Sequence, residues 1–302
     1  MPELPDVTVY VESIAARVAG QPLRAVRVAS PFVVRTFDPP LSAAAGRRVL
    51  EVRRLGKRVV FVLEGGLFLV IHLMIAGRFR WLEAGAKIPG KVGLAALDFD
   101  SGTLLLTEAA TKKRASIHLA RSLDEFRRSG IEPLESTLER FEAALRSENH
   151  TLKRALTDPR LFSGIGNAYS DEIHHRAKLS PAQLTQKLSA GDVRVLFEAT
   201  RAILTDWTVR LRDEARDRFP EKVTAFRDDF AVHGKYRKPC PTCGTAVQRI
   251  AYADNETNYC PRCQTGGKLL SDRSLARLLH DDWPSTIEEL EERFPAPRKA
   301  NR

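Results

Sequence analysis

Two places in this chain hold residues whose type and spacing can do chemistry. The first is a cysteine module. All four cysteines lie between Cys240 and Cys263, as Cys240-Pro-Thr-Cys243 and Cys260-Pro-Arg-Cys263, with sixteen residues from Gly244 to Tyr259 between the pairs. Each Cys-x-x-Cys turn presents two thiolates to one tetrahedral ion, and the stretch between can fold back as a hairpin. Disulfides are disfavoured in a reduced compartment, and two such pairs at ribbon spacing are rarely redox-active. One structural Zn2+ bound by Cys240, Cys243, Cys260 and Cys263 is therefore expected, and no organic cofactor. With sulfur in all four positions the ion has no open site, so it shapes the protein and does not catalyse.

The second place is the start, Met1-Pro2-Glu3. A small residue after the initiator Met is the usual signal for its removal, which leaves Pro2 with a free secondary amine. An α-amine has a reference pKa of about 7.7–8.0, so a useful fraction is neutral and nucleophilic near neutral pH. Attack on a sugar C1′ carbon would displace its substituent and form an iminium ion, which then acts as an electron sink for elimination. Glu3 stands beside it as a proton donor or acceptor.

These residues need elements to position them. The 302 residues carry 48 Lys and Arg against 38 Asp and Glu, a net charge of +10, which favours a polyanionic partner. The excess is local. Arg47 to Arg58 has six basic residues against one Glu, and Thr111 to Arg121 adds four more, whereas Glu288 to Glu292 is acidic. No run of apolar residues is long enough for a membrane span. The start lacks the basic and apolar regions of a secretory signal, so a cytoplasmic, nucleoid-associated protein is expected.

Over residues 1–125 short apolar runs alternate with turn residues. Arg58 to Leu63 and Leu67 to His72 flank Gly65-Gly66, and Leu94 to Phe99 and Thr103 to Thr107 flank Asp100-Ser101-Gly102. These predict strands and hairpins. An opening helix is expected from Val7, Val11, Ile14 and Val18, ending near Gly20. Over 136–230 the period becomes helical, with helices expected at Leu138 to Ser147, Leu152 to Thr157, Ala168 to Arg176, Gly191 to Leu211 and Phe219 to Phe226. A linker near Gly130 to Ser136 joins the halves. The cysteine module spans 236–268. A C-terminal extension over 271–302 is read as helices at Ser271 to His280 and Ser285 to Phe294, the latter with a capping box Ser285-x-x-Glu288, followed by a tail. The fold class is thus α+β and multidomain.

The start MPELPDV, the block Gly164-Ile165-Gly166-Asn167-Ala168-Tyr169-Ser170-Asp171-Glu172 and the ribbon CPTCG…YCPRCQ occur in order. Together they resemble the formamidopyrimidine-DNA glycosylase and endonuclease VIII family, over residues 1 to about 268. The resemblance implies an N-terminal β-sandwich, a helix–two-turn–helix domain and a zinc finger, with damaged double-stranded DNA bound in the cleft between. It implies excision of a damaged base and strand cleavage by β,δ-elimination, with Pro2 as nucleophile, Glu3 as acid/base and Lys57 as a catalytic, phosphate-contacting lysine. It also implies phosphate contacts from His72 and Asn167, a carboxylate near the sugar at Glu172 and a cleft lysine at Lys153. A monomer without an obligatory protein partner is expected.

The chain departs from the family pattern at several positions. Asn255 stands where the family finger has an arginine, and a neutral amide cannot replace a bidentate guanidinium. His233 stands in place of a tyrosine. The loop that fills the gap left by a flipped base reads Met74-Ile75-Ala76-Gly77, so either Met74 or Ile75 is the apolar wedge. The segment expected to complete the wedge reads Thr111-Lys112-Lys113-Arg114, basic but without an aromatic. The alternative reading is a non-catalytic damaged-DNA-binding protein on the same scaffold. Retention of Pro2 and Glu3 argues for the enzyme.

Overall fold

A computed structural model describes residues 1–216, 218–221, 227–252, 255–270 and 284–293. They form two compact units, 1–129 with 204–225, and 130–203 with 226–302.

In the first unit, α1 (Leu4–Val18) begins with Pro5 and Asp6 in its first turn, where a missing N–H costs nothing and a carboxylate suits the helix dipole. Its chain leaves through Gly20, whose φ of 80° suits a residue without Cβ. Eight strands follow: β1 (Ala25–Val28), β2 (Val49–Leu55), β3 (Arg58–Leu63), β4 (Leu67–His72), β5 (Gly77–Leu82), β6 (Gly93–Phe99), β7 (Gly102–Glu108) and β8 (Ser116–Ala120). They make two antiparallel four-stranded sheets, β1-β6-β7-β5 and β2-β3-β4-β8. The expected runs Arg58 to Leu63 and Leu67 to His72 are β3 and β4, paired from Leu63↔Leu67 to Arg58↔His72.

The period of two explains the layering. Val59, Phe61 and Leu63 of β3, Leu67, Leu69 and Ile71 of β4, and Ile117 and Leu119 of β8 enter one core. Leu97 and Phe99 of β6 and Leu104 and Leu106 of β7 meet them there, so the unit is a β-sandwich. Val7, Tyr10, Ile14 and Val18 of α1 join the same core. The Tyr10 ring meets Phe79 edge-on at 5.3 Å, and its hydroxyl accepts from the Phe79 N–H at 3.3 Å.

The second unit holds α2 (Leu138–Arg146), α3 (Leu152–Thr157), α4 (Asn167–Ala177) and the start of α5 (Ala190–Ala215). Thr137 and Thr151 cap α2 and α3 by accepting from the Arg140 and Arg154 N–H groups. Phe141 packs on Phe162 at 4.7 Å and Phe197 at 5.4 Å between these helices. The finger follows as a hairpin of β9 (Gln248–Tyr252) and β10 (Asn255–Tyr259), then α6 (Pro261–Thr265) and α7 (Ile287–Arg293). Among the described residues no helix is long and apolar enough to cross a membrane.

Several boundaries differ from expectation. The helical segment read as one domain over 136–230 is divided: residues 204–225 pack with the first unit. The Val9, Leu211 and Ala215 side chains form a cluster there, and Arg212 makes a bidentate ion pair with Glu12 at 2.6 and 2.7 Å. Phe219, Pro220 and Glu221 are not helical, and the remainder of the helix expected at Phe219 to Phe226 lies outside the described residues. The helix expected at Ser271 to His280 also lies outside them. The cap of α7 is one residue later than expected. Thr286 Oγ1 accepts from the Glu289 N–H at 3.3 Å, and the Glu289 carboxylate reaches back to the Ser285 N–H at 2.8 Å.

Candidate functional site

Of the candidate residues of the first unit, Glu3 and Lys57 act on the chain start. Pro2 and Glu3 are buried, Glu3 to 2% exposure. Glu3 is the N-cap of α1, and its N–H donates to Asp6 Oδ2 at 2.9 Å, which fixes the direction in which the first residues leave the helix. With Met1 in place, the terminal amine is held below its ordinary value of 8.0. Burial is the largest cause; Glu3 and Asp6 oppose it, while Arg78 and Lys57 act with it. The terminus therefore sits where two cations and a low dielectric favour a neutral amine.

Lys57 occupies the two-residue loop between β2 and β3. Leu55 pairs with Arg58, and Gly56 takes φ 61° at the first loop position, a conformation that two-residue hairpins fill with glycine. His72 ends β4, opposite Arg58 on one side and Ser116 on the other. Its pKa is lowered from 6.5 to about 4 by burial, then by Arg58, Lys57 and His118. At neutral pH it is an uncharged ring that still offers one N–H donor.

The loop after β4 is a tight turn closed by the Gly77 N–H on Leu73 O at 2.9 Å. A Cβ at Gly77 would lie 2.2 Å from that oxygen, so only glycine fits. Met74 adopts φ 53°, and Ile75 projects at the tip with 53% exposure. Arg78 braces the turn, donating to Gly77 O at 2.7 Å and Ile75 O at 3.3 Å. Of the two wedge candidates, Ile75 is the one presented outward.

The basic loop between β7 and β8 is organised by a buried acid. Glu108 Oε2 accepts from the Arg114 and Ala115 N–H groups at 2.8 and 3.1 Å. The Lys113 ammonium is turned onto Glu108 O, while Lys112 and Arg114 are exposed. Lys113 is thus a loop brace, and its two neighbours carry the outward charge.

In the second unit the candidates converge on a residue that sequence reasoning missed, Asp171. Its buried carboxylate meets Lys153 Nζ at 2.5 Å, His233 Nδ1 at 2.8 Å and the Asn258 N–H at 3.1 Å. Burial alone would raise its pKa, but Lys153 and His233 outweigh that and hold it below the ordinary value. Lys153 also donates to Asn167 O at 2.7 Å. The adjacent Glu172 accepts from the Ala231, Val232 and His233 N–H groups at 2.8–2.9 Å, so both its oxygens anchor that segment. Burial nevertheless raises its pKa, against those three hydrogen bonds.

Asn167 is the first residue of α4, and Gly166 is the cap. Its amide nitrogen donates to Glu256 O at 2.9 Å, so it ties the helix start to the finger instead of closing the helix on itself. Asn255 is exposed at the start of β10. The four cysteine sulfurs lie within 4.8 Å of one another, with Cys243–Cys260 at 3.4 Å and Cys240–Cys263 at 4.0 Å. Tetrahedral zinc with Zn–S of about 2.3 Å separates its sulfurs by about 3.8 Å, so the cluster fits one Zn2+. His175 Nε2 approaches Cys240 Sγ at 3.2 Å and joins α4 to this cluster.

The missed residues, Asp6, Arg78 and Asp171, act by holding others: Asp6 takes the Glu3 N–H, Arg78 the Gly77 and Ile75 carbonyls, and Asp171 the Lys153 and His233 side chains. Asp171 lies inside the block singled out in the sequence, but its neighbours on the helix face, Asn167, His174 and His175, are themselves polar and gave it no separate signal. Arg78 carried no signal, because alternation in a strand does not say which end of it faces a chain terminus.

Comparison with known proteins covers nearly the same span. Residues 1–119 match the model of the formamidopyrimidine-DNA glycosylase N-terminal domain, 130–213 that of the formamidopyrimidine-DNA glycosylase H2TH domain, and 237–266 that of the zinc finger found in FPG and IleRS. The chain is 35% identical over 276 residues to a formamidopyrimidine-DNA glycosylase of Thermus thermophilus, covering 88% of this chain and 100% of that one. It is 32% identical over 269 residues to one from Solibacter usitatus, covering 87% and 99%. The crystal structure of the MutM (Fpg) protein of Thermus thermophilus aligns at TM-score 0.74 and 34% identity, covering 87% of this chain and 98% of that one. The Lactococcus lactis protein bound to an oxidized pyrimidine containing DNA aligns at TM-score 0.76 and 25% identity, covering 87% and 100%.

Proposed function

Since the chain belongs to the formamidopyrimidine-DNA glycosylase family, we propose that it carries out both steps of a bifunctional reaction on damaged duplex DNA, base excision and strand cleavage, through the amine of Pro2. At the coarser level it is a DNA glycosylase of base-excision repair. The observation that carries the finer reading is the setting of the chain start: Pro2 is buried beside the buried carboxyl of Glu3, and with Met1 still attached burial pushes the terminal amine toward its neutral form.

Removal of Met1 places the nucleophile on Pro2. Its nitrogen lone pair forms a bond to C1′ of the damaged nucleotide as the C1′–base bond breaks and the base leaves with that electron pair and a proton. Opening of the sugar gives an iminium ion between Pro2 and C1′. Loss of a C2′ proton then delivers electrons into the iminium, and the C3′–O bond breaks in β-elimination. A second loss of a proton breaks the C5′–O bond in δ-elimination. Glu3 takes and returns the protons, and Lys57 and His72 meet phosphates flanking the damaged nucleotide. Ile75 fills the gap left by the extruded base, and Lys112, Arg114, Asn167 and Asn255 contact the DNA strands. Lys153, Glu172 and His233 act by holding the α4–finger framework, through Asp171 and the 231–233 backbone.

Product analysis on a duplex with one abasic site tests the lyase step. The β,δ pathway leaves phosphate on both ends of a one-nucleotide gap. An uncut strand, or one cut only by alkali afterward, overturns it.

A further inference from the structure

The outer face of the β2-β3-β4-β8 sheet carries a cluster of which the reaction above uses only His72. Arg58 and His72 lie directly opposite each other on β3 and β4, and His118 lies on β8 opposite Val70. Alternation puts all three on the face away from the sandwich core. Val60, Val70, Ala120, Leu123 and Phe126 form a small apolar cluster on that same face. The Phe126 ring holds two of the polar side chains: the Arg58 guanidinium lies 6.0 Å from its centroid, and the His118 ring meets it edge-on at 5.1 Å.

Among the described residues this cluster is short of negative charge. Among the described residues Arg58 has no carboxylate partner; its nitrogen reaches only Phe126 O, at 3.5 Å. Burial, then Arg128, lowers its pKa. Burial is also the largest cause of the lowered His118 value, opposed by Glu125 and reinforced by Arg58 and Arg35. His72 faces Arg58, Lys57 and His118 and no acid. Among the described residues, the carboxylate that acts on these three groups is Glu125, on His118. A half-buried guanidinium without a counter-ion is costly unless a ligand supplies the charge.

We propose that Arg58 and His118, with His72, form an anion seat on this face that receives a phosphodiester of the bound DNA backbone. Position 72 was expected to meet phosphate from the family resemblance; Arg58 and His118 are its new members. The choice of DNA as the source of the phosphate rests on the function proposed above, whereas the anion seat itself does not. A guanidinium placed beside an aromatic ring, with one long hydrogen bond to a carbonyl, has further N–H groups to offer to phosphate oxygens.

Two measurements test this on the full-length, zinc-loaded protein. In the first, the ring signals of His72 and His118 are followed by NMR during titration with inorganic phosphate. The seat predicts saturable shifts of both and a rise in the His72 pKa in the wild type, lost in Arg58→Gln. Absence of any saturable shift in the wild type, or an unchanged one in Arg58→Gln, overturns the seat whatever the protein's natural ligand. In the second, affinity for a duplex with an uncleavable abasic analogue is measured against salt. Arg58→Gln is expected to weaken binding roughly tenfold or more and to reduce the salt slope by about one, with Arg58→Lys recovering the slope. Phe126→Leu serves as the packing control, because a purely structural Arg58 would make both lysine and glutamine variants resemble it in thermal stability without changing the slope. Failure of the wild type to bind this duplex, with phosphate shifts present, overturns the DNA reading and leaves the anion seat supported.

Discussion

Lys153 Nζ lies 2.5 Å from Asp171 Oδ1, a carboxylate with no solvent exposure, and through it α3 is joined to α4, the 227–235 segment and the finger hairpin. Lys153 has 14% side-chain exposure, so the pair is close to dry. Breaking such a pair from one side leaves a buried charge unmatched. Asp171→Asn is expected to cost about 3–5 kcal/mol, read as a fall in the midpoint of thermal or urea unfolding. The sign with pH follows from the depressed pKa. The stabilisation is present above the unfolded-state value of 3.8 and is lost as pH falls through the lower folded-state value. The variant's deficit should therefore shrink toward wild type only in strong acid. Equal stability of the two proteins at pH 7 would show that Asp171 is not the hub of this unit.

The turn after β4 separates shape from contact. Ile75 is 53% exposed, so Ile75→Ser should change folding stability by less than about 0.5 kcal/mol. It should slow excision of a base-paired lesion, where the gap must be filled, more than cleavage at a preformed abasic site. Equal loss on both substrates would remove Ile75 from the wedge role. Met74 gives the complementary test. Its φ of 53° costs a residue with Cβ about 1–2 kcal/mol, which Met74→Gly relieves against roughly 0.5–1 kcal/mol of added chain entropy. A small net gain in melting temperature is expected, and a loss would mean that the Met74 side chain packs better than its backbone suggests.

The finger is legible as a unit with zinc at its centre. Cys243→Ser should abolish stoichiometric zinc and lower the melting temperature of the second unit, since the finger backbone meets α4 through Asn167 and Asp171. DNA affinity should fall with it. Tight binding by the zinc-free variant would contradict a role for the finger in holding DNA.

Asn255→Arg adds a guanidinium at an exposed position of β10. Binding of an abasic-analogue duplex should tighten, and its salt slope should steepen by about one. No change in slope would mean that this end of the hairpin lies away from phosphate.

Much of the fold could be read from the sequence because one feature decided each element. The alternation Val59, Phe61, Leu63 and the Gly65-Gly66 turn specify β3 and β4 at their observed bounds. The Cys-x-x-Cys pairs specify the finger. Where the decision was tertiary, reading failed. Nothing local says that α5 passes from one unit to the other, or that Phe219 ends up beside Tyr10 in an irregular stretch. The same holds for the site. The cysteines announce their chemistry by type and spacing, and Pro2 and Glu3 are candidates by type and place. Asp171 gives no such sign, because its partners His233 and Asn258 are distant in sequence, and neither does Arg78, whose effect on the chain start is tertiary. Glu172 and Lys153 are cleft residues by resemblance, and in the structure their polar atoms hold backbone and Asp171. A carboxylate facing three N–H groups cannot be told from sequence apart from one facing a substrate.

The most direct test of the Pro2 chemistry is borohydride trapping on a duplex containing a single abasic site, with the attachment point located by mass spectrometry. A covalent adduct on Pro2 is predicted for the protein lacking Met1, with none for Pro2→Gly or for a form that retains Met1. An adduct on another residue, or no adduct from a zinc-loaded protein shown to have lost Met1, would contradict Pro2 as the nucleophile.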